Sequence, residues 1–116
     1  MAERDPDCLF CKIVSGDVPA DVVHSDDQVG VFRDINPRAP THVLAIPRRH
    51  IASAADLTDA DGSLLGALFA ALTGFARSQG LSGYRIVTNV GPESGQSVFH
   101  LHIHLLGGRS MSWPPG

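Results

Sequence analysis

Residues 98–106 read Val98-Phe99-His100-Leu101-His102-Ile103-His104-Leu105-Leu106. From Phe99 to Leu105 apolar residues alternate with histidines, the pattern of a strand with two unlike faces. Side chains two apart on a strand point the same way. His100, His102 and His104 are therefore expected on one face, their backbones about 6.6 Å apart, with Phe99, Leu101, Ile103 and Leu105 packed on the core. Three readings compete for the imidazole row. It is an exposed strand face that happens to carry histidines, or a tris-histidine metal site. In the third, one imidazole acts as nucleophile or acid-base while its neighbours tune it. The stretch by itself leaves the last two open.

The chain has 116 residues, 43% hydrophobic and 18% charged, which predicts a single domain over 1–116 with an ordinary globular core. A net charge of −3 and a pI near 6.0 argue against a nucleic-acid partner, which needs a basic patch. The charged N-terminus lacks an apolar signal region. The longest apolar stretch, Leu64 to Leu72, falls short of the ~20 residues that span a bilayer. The expectation is a cytoplasmic protein with no membrane partner.

Residues 1–7 read as a loose tail and 109–116 as an irregular, proline-rich C-terminal segment. Leu9 to Ser15 predicts a short helix closed at Gly16. Val22–His24 and Val29–Phe32 flank the polar turn Ser25-Asp26-Asp27 and predict a hairpin. After the proline loop Asn36 to Pro40, His42 to Ile46 predicts a third strand stopped by Pro47. Leu57 to Gln79 predicts one long helix, because Leu64, Leu65, Leu68, Phe69, Leu72, Phe75 and Ala76 recur at three- and four-residue spacing. Thr58 and Asp61 resemble a capping box at its start. The stripe is wide enough to face a partner subunit as well as the sheet. Tyr84 to Asn89 predicts a fourth strand. Short connections favour antiparallel pairing, so the expected class is α+β with about five antiparallel strands, one long helix and one short one.

Two cysteines, Cys8 and Cys11, are too few for a disulfide framework, and no strand precedes Cys8 as a thioredoxin-like redox pair requires. Half of a tetrahedral zinc site, completed by two histidines, stands against an inert pair of small buried residues. The loop Gly91-Pro92-Glu93-Ser94-Gly95-Gln96-Ser97 leads into the histidines. Gly95 permits close backbone approach, and Gln96 and Ser97 add side-chain donors, the makings of a phosphate site. Neither common phosphate-loop motif is present, and no carboxylate cluster suits Mg²⁺.

The run Gly95-Gln-Ser-Val-Phe-His-Leu-His-Ile-His-Leu-Leu-Gly-Gly-Arg109 resembles the signature of the histidine triad (HIT) superfamily, H-φ-H-φ-H-φ-φ with φ apolar. Phe32-Arg-Asp-Ile-Asn-Pro-Arg-Ala-Pro-Thr-His42 and the ending Trp113-Pro-Pro-Gly116 are similar to the Hint branch, the histidine triad nucleotide-binding proteins. The similarity runs from about Cys8 to the end. It implies a HIT-like fold, a homodimer and a purine nucleotide site. The activity it implies is hydrolysis of adenosine or guanosine 5′-phosphoramidates through a nucleotidyl-histidine intermediate, without a catalytic metal. By position, His102 matches the nucleophile, and His104 and Ser97 match contacts to the phosphate or leaving group. Gly95, Gln96 and Asn89 match the phosphate site. Asp34 matches a ribose contact, with Ile35, Phe32, Phe10 and Ile13 around the base. His42 and His100 match supporting histidines. The Cys8-x-x-Cys11 pair resembles a zinc half-site of other HIT proteins, implying a structural zinc at Cys8, Cys11, His50 and His100. His104 stands where related transferases tend to carry Gln, which favours hydrolysis. Ser94, where a second Gly is common, Phe99 for a frequent Tyr, and Ser112 before Trp113, where the branch varies, are small departures from the pattern that leave the implied mechanism alone and bear on the leaving-group side. Dinucleoside polyphosphate hydrolysis and non-catalytic nucleotide binding are the alternatives the same motifs allow.

Overall fold

The computed structural model describes residues 5–116. The first four residues of the expected tail lie outside them. Asp5–Asp7 form a tight turn instead: the Asp7 N–H donates to Asp5 Oδ1 at 2.9 Å and the Cys8 N–H to the Asp5 carbonyl at 3.0 Å. That turn feeds α1 (Leu9–Ser15), where the Cys8 sulfur caps the helix by accepting the Cys11 N–H at 3.4 Å. Gly16 closes it as expected.

Five strands follow: β1 (Val22–Ser25), β2 (Val29–Arg33), β3 (Thr41–Pro47), β4 (Tyr84–Val87) and β5 (Ile103–Gly107). They form one antiparallel sheet in the order β1-β2-β3-β5-β4. The excursion between β3 and β4 carries the long helix, α2 (Gly62–Ser78). The expected helix from Leu57 is shorter at its start. The Asp61 carboxylate takes the Thr58 N–H at 2.9 Å and Arg49 Nη2 at 2.5 Å, and Asp59–Asp61 winds as a 3-10 turn before α2 begins.

Period-two alternation gives the sheet two different cores. Val29, Val31, Val43, Ala45, Ile103 and Leu105 face α2, packing on Leu68, Leu72 and Ala76. Phe32, Leu44 and Ile46 face the other way, against Cys8, Phe10 and Cys11 of the α1 region. The histidine chemistry lies on this second face. Phe69 on α2 and Tyr84 and Val87 on the edge strand β4 remain exposed. Among the described residues no helix is long and apolar enough to cross a membrane. The C-terminal segment is irregular, as expected, and tied down by the Arg109 Nε–H to the Arg38 carbonyl at 3.0 Å, and by Arg85 to the Ser112 carbonyl.

The histidine strand is the main departure. Regular pairing begins only at Ile103; Val98 to His102 is irregular chain leading into the sheet. Phe99, expected in the core, is 48% exposed, whereas Leu101, Ile103 and Leu105 are buried. β4 ends at Val87 and so offers no ladder to this segment. The Thr88 hydroxyl donates to the His102 carbonyl instead, at 2.8 Å.

Candidate active site and metal-ligand cluster

The positions of the ring protons follow from backbone groups whose roles are fixed. His42 Nδ1 accepts the Arg38 N–H at 3.0 Å, so its own proton sits on Nε2. Nε2 faces His104 Nδ1 at 2.9 Å and Asp34 Oδ2 at 3.3 Å. His104 Nδ1 therefore accepts, and His104 carries its proton on Nε2. That nitrogen is buried and has no partner among the described residues, so its N–H donor is left unsatisfied. Burial, then the neighbouring His102 and His42, push the His104 pKa down to about 4, which keeps the ring neutral. Burial also lowers His42, with Asp34 opposing.

His102 is polarised the opposite way. Its Nδ1–H donates to the His100 carbonyl at 2.7 Å, leaving Nε2 with a free lone pair. Its ring stands 5.0 Å from that of His104 and edge-on to Phe10 at 5.1 Å, centroid to centroid. Phe10 in turn packs on Phe32 at 5.3 Å.

His100 belongs to a different cluster. Its Nε2–H donates to the Pro47 carbonyl at 2.8 Å, which turns the Nδ1 lone pair toward Cys8 Sγ at 3.3 Å and Cys11 Sγ at 3.5 Å. His50 Nδ1 lies 3.4 Å from Cys11 Sγ, and the four ligand atoms all fall within 4.8 Å of one another. A tetrahedral zinc with ordinary bond lengths separates sulfur and nitrogen donors by about 3.5 Å, so these edges fit such an ion. Burial pushes the His100 pKa down to about 4, keeping the imidazole in its ligating, neutral form. The triad histidines thus do not converge on one metal. Asp34, His42 and His104 also bring ligand atoms together, at distances their hydrogen bonds explain.

Other expected residues are placed unevenly. Gly95 adopts φ +102°, a conformation that suits glycine, and a Cβ there would stand 3.9 Å from Asn89 Nδ2. Ser97 is exposed on the same loop. Gln96 is not the ligand donor expected. Its amide is turned inward, accepting the Gly91 N–H at 2.8 Å and donating to the Ala52 and Val98 carbonyls at 2.9 and 3.1 Å. Burial in a loop that must fold back on itself explains this, since its polar atoms need internal partners. Ile13 packs against the cluster that contains Phe10 and Phe32, whereas Ile35 is 92% exposed. A cleft of about 660 Å³ lies elsewhere, lined by Gly80–Arg85 and Gly108–Met111. Sequence reasoning missed the Arg38 N–H, the Pro47 and His100 carbonyls and the Thr88 hydroxyl. Three are backbone groups, which no residue pattern marks.

A family model described as "Scavenger mRNA decapping enzyme C-term binding" matches residues 7–113. The chain is 50% identical over 111 residues to an uncharacterized HIT-like protein of Synechococcus elongatus, covering 95% of this chain and 97% of the relative. It is 45% identical over 115 residues to a 14 kDa zinc-binding protein of Zea mays, covering 97% and 90%. Its fold matches a HIT family hydrolase from Legionella pneumophila at TM-score 0.93 and 52% identity, over 95% of this chain and all 100% of that one. A histidine triad nucleotide-binding protein from Candida albicans matches at TM-score 0.79 and 28% identity, covering 95% and 85%. With this agreement along nearly its whole length, and with the histidines in their motif, the chain belongs to the histidine triad family.

Proposed function

We propose that this single-domain protein is a purine nucleoside phosphoramidase, cleaving adenosine or guanosine 5′-phosphoramidates to the nucleotide and an amine. The observation that carries the reading is the opposed pair on one sheet face: a bare Nε2 on His102 beside an unpartnered Nε2–H on His104. His102 Nε2 attacks phosphorus, forming a P–N bond as the bond to the leaving amine breaks. Water then attacks the nucleotidyl-histidine and returns free His102. His104, neutral, donates a hydrogen bond to a phosphoryl oxygen and is not itself the acid. The amine takes its proton from solvent or from the already protonated substrate. The Gly95–Ser97 loop and Asn89 border the phosphate, with Gln96 bracing the loop from within. Phe10, Ile13 and Phe32 offer an apolar wall for the base, and Asp34 offers its carboxylate to the ribose.

In the same reading Cys8, Cys11, His50 and His100 hold a structural zinc, whose chemistry is to tie the N-terminal turn to the sheet. The exposed edge of β4, with Tyr84 and Val87, and the exposed Phe69 of α2 join two copies as a homodimer. One observation favours a second substrate. A neutral His104 supplies no strong acid, and a polyphosphate leaving group needs none, so dinucleoside polyphosphates are the alternative.

The test is incubation with an adenosine 5′-phosphoramidate of lysine, with a dinucleoside polyphosphate in parallel. Release of AMP and lysine is expected, with a nucleotidyl adduct on His102 trapped by mass spectrometry and lost in His102→Ala. Equal turnover by that variant defeats the mechanism. Binding of AMP with turnover of neither substrate makes the protein a nucleotide-binding module instead.

A further inference from the structure

The cluster and the reacting histidine are linked through one peptide unit, that between His100 and Leu101. Its carbonyl accepts the His102 Nδ1–H at 2.7 Å, and its N–H donates to the Ile51 carbonyl at 2.6 Å. The peptide is tied to the cluster at two points: its acceptor Ile51 follows His50, and its own carbonyl belongs to the cluster member His100. An ion that draws His50 and His100 together therefore clamps the two chain segments between which this peptide is hung. A second link runs through α1. Phe10 stands between Cys8 and Cys11, and its ring packs edge-on to His102 and to Phe32. α1 has seven residues, too few to hold a helix in place by its own hydrogen bonds. Its seat depends on the burial of Phe10 and on the two cysteine side chains.

We propose that the Cys8–Cys11–His50–His100 cluster, when it holds its metal, positions the nucleophile, with His100 as the positioning residue. The His100 carbonyl holds His102 in the Nδ1–H tautomer that leaves Nε2 free, and Phe10 fixes the plane of its ring. A histidine side chain without such a partner populates both tautomers, and the other one masks Nε2 with a proton. Orienting groups of this kind act on ligands and nucleophiles alike by removing unproductive geometries. The positioning rests on the reading of His102 as nucleophile only for its catalytic consequence.

The experiment uses the full chain loaded with Zn²⁺, the same protein stripped by chelator, and the variants His50→Ala and His50→Cys. Among the described residues the His50 ring packs on His100 and the His102 ring on Phe10 and His104, so a change at His50 reaches His102 through the cluster. ¹⁵N spectra of the histidine rings at one pH report the His102 tautomer, and single-turnover mass spectrometry reports the rate of adduct formation. The zinc-loaded protein and His50→Cys, which keeps a tetrahedral sulfur and nitrogen set, are expected to hold the Nδ1–H tautomer. Stripped protein and His50→Ala are expected to show mixed tautomers and adduct formation slower by about 10- to 100-fold, with the fold retained. An unchanged tautomer and rate after stripping overturn the proposal, as does a failure of the chain to bind Zn²⁺ at all. If stripping unfolds the chain, Cd²⁺-loaded protein replaces it. A larger ion spreads the donors, and identical spectra and rates with both ions overturn the proposal. A tautomer that responds to metal in a protein forming no adduct upholds the positioning and defeats the phosphoramidase reading alone.

Discussion

His42 Nε2 donates to His104 Nδ1 across 2.9 Å, joining β3 to β5 and fixing the proton of His104 on its buried, unpartnered Nε2. The chain of constraint starts at the Arg38 N–H, a donor that cannot reverse, and ends at the buried His104 Nε2–H. Orientation here is imposed by the backbone and relayed through one ring to the next.

His42→Ala removes that relay. His104 Nδ1 is then free to take the proton, and the Nε2–H proposed as the phosphate donor is lost in part of the population. A hydrogen bond of this kind contributes about 1–3 kcal/mol when its loss leaves a buried group unpaired. The expected result is a kcat lower by about 10- to 100-fold with a smaller change in KM, read from steady-state kinetics. Equal kcat in the two proteins removes His42 from the mechanism.

Stability should fall on mild acidification. His104 titrates at about 4 in the folded chain against 6.5 as a free side chain, because burial disfavours the imidazolium. Between those values the unfolded chain binds a proton that the native chain refuses, so stability drops as pH falls. Above 6.5 the ring is neutral in both states and the effect vanishes. The slope reaches up to about 1.4 kcal/mol per pH unit for this group. Asp26 and Asp61, held below the usual 3.8 by hydrogen bonds to the Gln28 backbone and to Arg49, add losses only at lower pH. Urea denaturation at pH 7, 6 and 5 checks this, and a flat profile contradicts it.

Gln96→Leu should act on the loop without touching His102, the proposed nucleophile. It removes the bonds that hold Gly91, Ala52 and Val98 together around a buried amide. The expected cost is about 1–3 kcal/mol of stability and a KM raised several-fold, with the His102 adduct still formed. If Gln96 instead contacts phosphate directly, kcat falls and stability holds.

Gly108→Ala should destabilise without changing KM. Gly108 sits at φ +89°, and a Cβ there would stand 3.0 Å from Pro40 Cβ, in a ring with little room to yield. A left-handed position and a close contact together predict a loss of about 1–3 kcal/mol in urea denaturation.

Much of the fold was legible because its signals are local. Gly16 after Leu9–Ser15, the polar turn between Val23 and Val29, and the leucine spacing of α2 each report on neighbours within a few residues. The histidine strand misled because alternation records which faces are apolar, not whether a partner strand is present. Val98 to His102 alternates like a strand, yet β4 stops at Val87 and leaves it unpaired. Leu57 misled for a related reason. The Thr58–Asp61 box reads as the start of the long helix, but it caps the 3-10 turn Asp59–Asp61, where Asp61 also holds Arg49, and α2 begins only at Gly62.

The sequence by itself determined which chemistry is present: three imidazoles, two thiols at helical spacing, and a glycine turn ahead of them. Side-chain identity and spacing are written in the chain. Only the tertiary structure decided the division of labour. His100 turns to the cysteines, His102 keeps a bare Nε2, and His104 presents an N–H, because the Pro47, His100 and Arg38 backbone groups reach them from other segments. Which nitrogen of a ring carries the proton depends on what faces it, and that is settled by folding.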